Sequence, residues 1–167
     1  MRTHGEFRIR ISKDYTVFAS AHFITFEGHR CETLHGHNYR VGVVLEGALD
    51  EETWYVLDFS VVKRIMRQIC NEIDHKVLLP LENPKLGITP SDTSVAVAYQ
   101  GTPRYVFPAR ECALLPIPNT TVEMLGRHLC KRLLAELGTA NTAHLTAVEL
   151  EVEESFGQSA VYRETLG

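Results

Sequence analysis

At 167 residues with a net charge of −4, and with 44% hydrophobic against 23% charged residues, the chain has the balance of one globular domain (residues 1–167) able to bury a core unaided. The acidic balance gives no electrostatic reason to expect nucleic acid or an anionic membrane as partner, and no apolar stretch is long enough to span a bilayer. Met1 to Arg10 has no apolar signal core, and Cys31, Cys70, Cys112 and Cys130 form no C-x-x-C pair, so a cytoplasmic protein with reduced thiols is expected.

The first predicted element is Phe7-Arg8-Ile9-Arg10-Ile11, whose alternation of apolar and polar residues is the period of a strand with one wet face. Tyr15 to Phe23 is a second strand-like stretch that can continue the first through a bend at Ser12 to Asp14. Asn38 to Glu46 reads as its antiparallel partner, with Val41, Val43 and Leu45 on one face. Leu57 to Ile73 repeats apolar residues at helical spacing, with Asp58 or Ser60 as cap. Every proline lies between Pro80 and Pro118, which makes the middle of the chain irregular. Within it, Val95–Tyr99 and Arg104–Phe107 read as a hairpin. Thr120-x-x-Glu123 has the form of a capping box and opens a second helix, with Leu125, Leu129, Leu133, Leu134 and Leu137 as its stripe and Gly138 as its end. His144–Val152 and Ser159–Glu164 are the last strands, joined at Gly157. Strands segregated from helices predict an α+β fold, an antiparallel sheet with both helices on one face.

The chemistry concentrates in Cys31-Glu32-Thr33-Leu34-His35-Gly36-His37 and in His22 just upstream. His35 and His37 are two apart, so on a strand they leave the same face, and Gly36 empties the opposite one. His22 closes the preceding strand, and pairing the two strands brings three imidazoles together. Three imidazoles without a fourth protein ligand are the pattern of an open zinc site. Cys31 then sits just outside the ligand set, where a thiolate can act on what the metal holds. Asp74-His75, at the end of the first helix, pairs an acid–base group with a carboxylate able to orient it; a histidine favoured by the helix dipole fits the same two residues. Glu153 and Glu154 point to opposite faces of one strand end, so only one can enter a pocket while the other meets water.

These segments together resemble the 6-pyruvoyl-tetrahydropterin synthase superfamily, and within it the bacterial 6-carboxy-5,6,7,8-tetrahydropterin synthases. The resemblance is carried by Ser20-Ala21-His22, by Gly28-His29-Arg30-Cys31-x-x-x-His35-Gly36-His37-Asn38-Tyr39, by Asp58-Phe59 and by Asp74-His75-Lys76. The three residues between Cys31 and His35 match the carboxy-tetrahydropterin enzymes, whereas the animal-type pyruvoyl enzymes carry a longer gap. The segment 81–118 is an insert longer than the family's usual connection. The resemblance implies a tunnelling-type fold of four antiparallel strands with two helices on one face. It implies sheets joined into a barrel by oligomerisation, in a homohexamer built as a dimer of trimers with sites at subunit interfaces. It further implies zinc on His22, His35 and His37, and Cys31, Asp74 and His75 as the catalytic set. Glu154 falls at the pterin-anchoring position, and Asn119 to Glu123 resembles a family segment that places Thr121 and Glu123 at the substrate. The implied reaction takes 7,8-dihydroneopterin triphosphate to 6-carboxy-5,6,7,8-tetrahydropterin, acetaldehyde and triphosphate, as in queuosine biosynthesis. The alternatives are a 6-pyruvoyl-tetrahydropterin synthase, which eliminates triphosphate only, and a non-catalytic zinc-dependent pterin-binding protein.

Overall fold

A computed structural model describes residues 6–28 and 30–167; the first five residues of the polar start and His29 of the cysteine–histidine block lie outside the described residues. Strands β1 (Phe7–Ile11) and β2 (Val17–His22) lie end to end along one edge of β3 (His35–Gly47). The bend between them is a 3-10 turn, Lys13–Tyr15, entered at Ser12, whose hydroxyl accepts a hydrogen bond from the Asp14 amide. Helix α1 (Phe59–Ile73) starts at Asp58, whose carboxylate takes the Ser60 amide at 2.7 Å, the N-cap expected.

The chain leaves α1 into β4 (Lys76–Pro80), which pairs parallel with β2. Three strands, β5 (Leu86–Pro90), β6 (Ser94–Tyr99) and β7 (Thr102–Pro108), then form a separate antiparallel sheet. The β6–β7 turn has Gln100 and Gly101 both at positive φ, which matches the right-handed twist of the strands it joins. Strand β8 (Cys112–Leu115) returns to the main sheet, parallel to β4. Helix α2 (Val122–Thr142) and the antiparallel pair β9 (Leu145–Ser155) and β10 (Gln158–Thr165) complete the chain, with β9 on the free edge of β3.

Among the described residues the main sheet therefore has seven strands, six in the order β10-β9-β3-β2-β4-β8 and β1 also on β3. This corrects the expectation of four: β1 and β2 are separate strands, and β4 and β8 are added. The two added strands are parallel, and they are short apolar runs, Lys76-Val-Leu-Leu-Pro80 and Cys112-Ala-Leu-Leu115, with no alternation to betray them. The insert likewise holds three strands of its own instead of one hairpin, because Leu86–Pro90 contains Gly87 and ends in proline.

Both helices pack on the sheet face that carries Phe18, Tyr39, Val41, Val43, Leu45, Val148, Leu150 and Val152. Val62, Met66 and Ile69 of α1 and Leu125, Leu129 and Leu133 of α2 fill the layer between. Two boundaries of α2 differ from expectation. Its cap is Thr121, whose hydroxyl accepts from the Met124 amide at 3.4 Å, since Thr120 is fully buried and spends its own hydroxyl on the Phe23 carbonyl. Gly138 does interrupt the helix, at φ 71° and ψ 168°, but one further turn follows it. Among the described residues no helix is long and apolar enough to cross a membrane.

The opposite sheet face is charged. Arg163 bonds Glu46 and Glu149, each at 2.5 Å, and Arg8 donates to Glu46 at 2.6 Å. Lys13 spans Glu151 and Glu153. Glu153 does face away from Glu154, but it does not meet water: it is only 6% exposed and ion-paired to Lys13. The 3-10 turn between β1 and β2, where the bend at Ser12 to Asp14 is expected, carries that lysine over the strand end.

Two consequences are measurable. Arg163, then Arg8, hold the Glu46 carboxyl at about 2, below its ordinary 4.5. A carboxyl depressed on folding stabilises the fold fully above its unfolded value and loses that contribution as pH falls through the folded one. Glu46→Gln is expected to cost about 1 kcal/mol at pH 7 by urea unfolding, and the gap to the parent protein should close between pH 4.5 and about 2. At Gly47 an added methyl would press on the backbone carbonyl of His144 and lie 2.9 Å from the Leu145 Cα, on a strand that cannot retreat. Gly47→Ala should therefore lower the unfolding free energy by about 2 kcal/mol in the same assay.

Candidate metal centre and active site

The core face of β3 changes chemistry along its length. Leu45, Val43, Val41 and Tyr39 are buried under the helices, and the next two positions on that face are His37 and His35. The β2–β3 register sets His22 opposite His35 and Ser20 opposite His37. Three imidazoles thus emerge side by side where the core ends, with ring centroids 4.8 to 5.2 Å apart and one ligand atom from each within 4.8 Å of the others.

Backbone carbonyls fix two of the rings. His22 Nδ1 lies 2.8 Å from the Thr120 carbonyl and His35 Nδ1 3.0 Å from the Thr33 carbonyl. A carbonyl only accepts, so each Nδ1 carries the proton and each Nε2 presents its lone pair. Burial pushes His22 below the ordinary histidine value, which keeps it neutral, the form that ligates. Its Nε2 is buried without a hydrogen-bond partner, as is the neighbouring Tyr39 hydroxyl. Such an atom is costly unless something else completes it. A divalent cation fits this donor set: three imidazoles, two already oriented from behind, with no cysteine among them.

Glu154 lies on the same side, its Oε2 4.0 Å from His37 Nε2, as the alternation of β9 after Val148, Leu150 and Val152 requires. Glu32 also approaches the triad. Its Oε2 is 3.7 Å from His35 Nδ1 and accepts from the Ile24 amide at 3.2 Å. Sequence reasoning passed over Glu32; the signal was a carboxylate three residues before His35.

Asp74 and His75 form a dyad. Asp74 Oδ1 accepts from the Ala19 amide at 2.7 Å, and its Oδ2 lies 2.8 Å from His75 Nδ1. These bonds, the Ala19 amide first, hold the Asp74 carboxyl below its usual range. His75 sits at φ 56°, a left-handed conformation unusual for histidine, pinned by its amide to the Ala19 carbonyl at 2.6 Å. Its side chain is 82% exposed. It opens on a groove of about 430 Å³ lined by Ala19, Ala21, Gly36, Asn38 and Glu111. Ala19, Ala21, Gly36 and Asn38 alternate with the imidazole-bearing positions, and His37 of the triad lines the same groove, so it runs along the sheet edge beside the triad.

Cys31 lines a separate depression with Phe26, Arg30, Glu32 and Thr33, which shares no residue with the His75 groove. Burial raises its thiol, a shift that Arg104 opposes and Glu32 adds to. Thr121 serves as the α2 cap and Glu123 is exposed on the first helical turn, immediately after the residue whose carbonyl orients His22.

Residues 10–165 match the family described as 6-pyruvoyl tetrahydropterin synthase. A Methanocaldococcus jannaschii protein, provisionally named 6-carboxy-5,6,7,8-tetrahydropterin synthase, is 34% identical over 149 residues, 89% of this chain and 90% of its own length. Plasmodium falciparum 6-pyruvoyl tetrahydropterin synthase superposes with a TM-score of 0.90 at 29% identity, covering 98% of this chain and all of its own. A Plasmodium vivax 6-pyruvoyltetrahydropterin synthase in which a catalytic residue, a glutamate, is replaced by alanine superposes at 0.89 with 30% identity, over 98% of this chain and all of its own. Matched from the first strand to the last, the chain belongs to the 6-pyruvoyl tetrahydropterin synthase family.

Proposed function

We propose that this protein is a zinc-dependent lyase that converts 7,8-dihydroneopterin triphosphate and one water into 6-carboxy-5,6,7,8-tetrahydropterin with release of acetaldehyde and triphosphate. The observation that carries the reading is the unpartnered, buried Nε2 of His22 beside His35 and His37. Zinc held there supplies a Lewis acid for the oxygens of the substrate side chain.

The remaining work falls to the chain's own groups. Glu154, facing the triad, accepts the 2-amino and ring N–H donors of the pterin, a bidentate task for a carboxylate. Thr121 and Glu123, on the first turn of α2, complete the substrate-binding set. His75, held through Nδ1 by Asp74, is left with Nε2 free to move a proton at the side-chain carbon. Cys31 is its counterpart on the other face of that carbon. Within one chain the two line separate depressions, which supports a site completed between subunits in a hexamer of two trimers. A strained, exposed His75 held by a carboxylate has no use in a protein that only binds, which speaks against the non-catalytic reading.

Glu32 supports a second acid–base group on the triad side, and the catalytic glutamate of the Plasmodium vivax relative points the same way. This bears on the alternative reaction, elimination of triphosphate to 6-pyruvoyl-tetrahydropterin, since that product keeps the three-carbon side chain whereas the carboxy product requires one of its carbon–carbon bonds to break.

Metal analysis of the purified protein is expected to find about one zinc per chain, lost in His22→Ala and His35→Ala; full zinc in either variant excludes the triad. Incubation with dihydroneopterin triphosphate and mass identification of the pterin then separates the carboxy from the pyruvoyl product. Cys31→Ala should keep its zinc but lose about 100-fold in turnover, the scale of a positioned acid–base group.

A further inference from the structure

The loop that carries Cys31 and Glu32 is held from outside by the insert. Asn83 donates to the Thr25 hydroxyl at 2.9 Å, and Lys85 to the Phe26 carbonyl at 2.7 Å. On β7, Tyr105 accepts the Leu34 amide at 3.2 Å, and its ring sits 5.4 Å from Phe23. The neighbouring Arg104 reaches the two residues of interest. Its Nη2 donates to the Glu32 carbonyl at 2.8 Å and to the Cys31 carbonyl at 3.4 Å, while its guanidinium lies 5.3 Å from the Tyr105 ring.

We infer that Arg104 is a positioning residue: the insert strand β7 uses it to fix the backbone of Cys31 and Glu32, and so to aim the thiol and the carboxylate. The Cys31 carbonyl lies in the peptide plane that joins Cys31 to Glu32 and the Glu32 carbonyl in the plane that joins Glu32 to Thr33, so one guanidinium nitrogen holds two successive peptide planes. Those planes flank the Glu32 Cα and follow the Cys31 Cα, so they constrain the direction in which both side chains leave the chain. The arrangement accounts for the Glu32 carboxylate reaching back to the Ile24 amide and His35 while the Cys31 thiol faces the depression with Phe26 and Arg30. Arg104 also brings a positive charge to a thiol that burial and Glu32 disfavour as thiolate. The charged groups facing Cys31 are thus Arg104 from β7 and Glu32 and Arg30 from its own loop.

The inference rests on reading Cys31 and Glu32 as acid–base groups, but its test does not require any particular product. The decisive measurement is the pH dependence of iodoacetamide alkylation at Cys31 in the zinc-loaded full chain, resolved by peptide mass. The Cys112 rate serves as a reference for the integrity of the insert. Arg104→Ala is expected to slow Cys31 roughly three- to tenfold at pH 7.5 and move its profile to higher pH. Cys112 should be unaffected. Arg104→Lys, which restores the charge but not the fork, should recover part of the rate. If Arg104→Ala accelerates Cys112, the insert has loosened, and Arg104→Lys becomes the deciding variant. A Cys31 profile identical to the parent's in the deciding variant overturns the positioning role. Turnover is read alongside: the positioned pair predicts a fall in kcat with little change in KM or zinc. If Cys31→Ala and Glu32→Gln both keep parental turnover, the acid–base reading fails on its own, while the alkylation result still stands or falls separately.

Discussion

The register of β2 against β3 is the constraint on which the site depends. His22 faces His35 and Ser20 faces His37 because Phe18, four residues before His22, and Tyr39, four after His35, stack at 4.8 Å in the core. A slip of one residue would carry every one of these side chains to the other face, exposing the aromatic pair and scattering the imidazoles. The core therefore does more than stabilise the fold. Burial of Phe18, Tyr39, Val41 and Val43 sets the phase of the strand, and the histidines inherit it.

The same sheet serves two chemistries on its two faces. On the helix side the apolar layer runs out at the triad, where Thr120 and Thr33 offer carbonyls instead of hydrophobic cover. On the other side Gly36 and the small Ala19 and Ala21 leave the groove onto which His75 opens. Asp74 follows the last residue of α1, and its carboxylate takes an amide of β2 and holds His75. The end of α1 thereby also places His75, whose left-handed conformation is kept by its amide bond to the Ala19 carbonyl and by the Asp74 carboxylate on its ring.

The insert adds a layer that the compact core does not need. It packs its own small cluster, with Val95 and Val97 buried against Phe23 and Leu79, and reaches the cysteine loop through polar side chains from β7 and from the segment before β5. A loop held by directional bonds at several carbonyls has less freedom to lose when substrate binds, which is how a remote element can govern geometry at a reacting group.

What the sequence by itself determined lies in local periodicities. The alternation of β1 and β3, the helical stripes of α1 and α2, the Asp58 cap and the Gly157 turn were legible because each is written in neighbouring residues. So was the triad, since the H-G-H spacing and a histidine at the end of the previous strand leave few other arrangements. The parallel strands β4 and β8 were not, because four or five apolar residues without alternation look alike in a helix, a strand or a buried loop. Nor were the contacts that depend on distant chain: the Thr120 carbonyl behind His22, Lys13 over Glu153, and Arg104 on the cysteine loop. Those pairs are separated by 72 to 140 residues, and what joins them is the path of the backbone between them. Local sequence sets which face a side chain leaves; only the packed structure decides what it meets there.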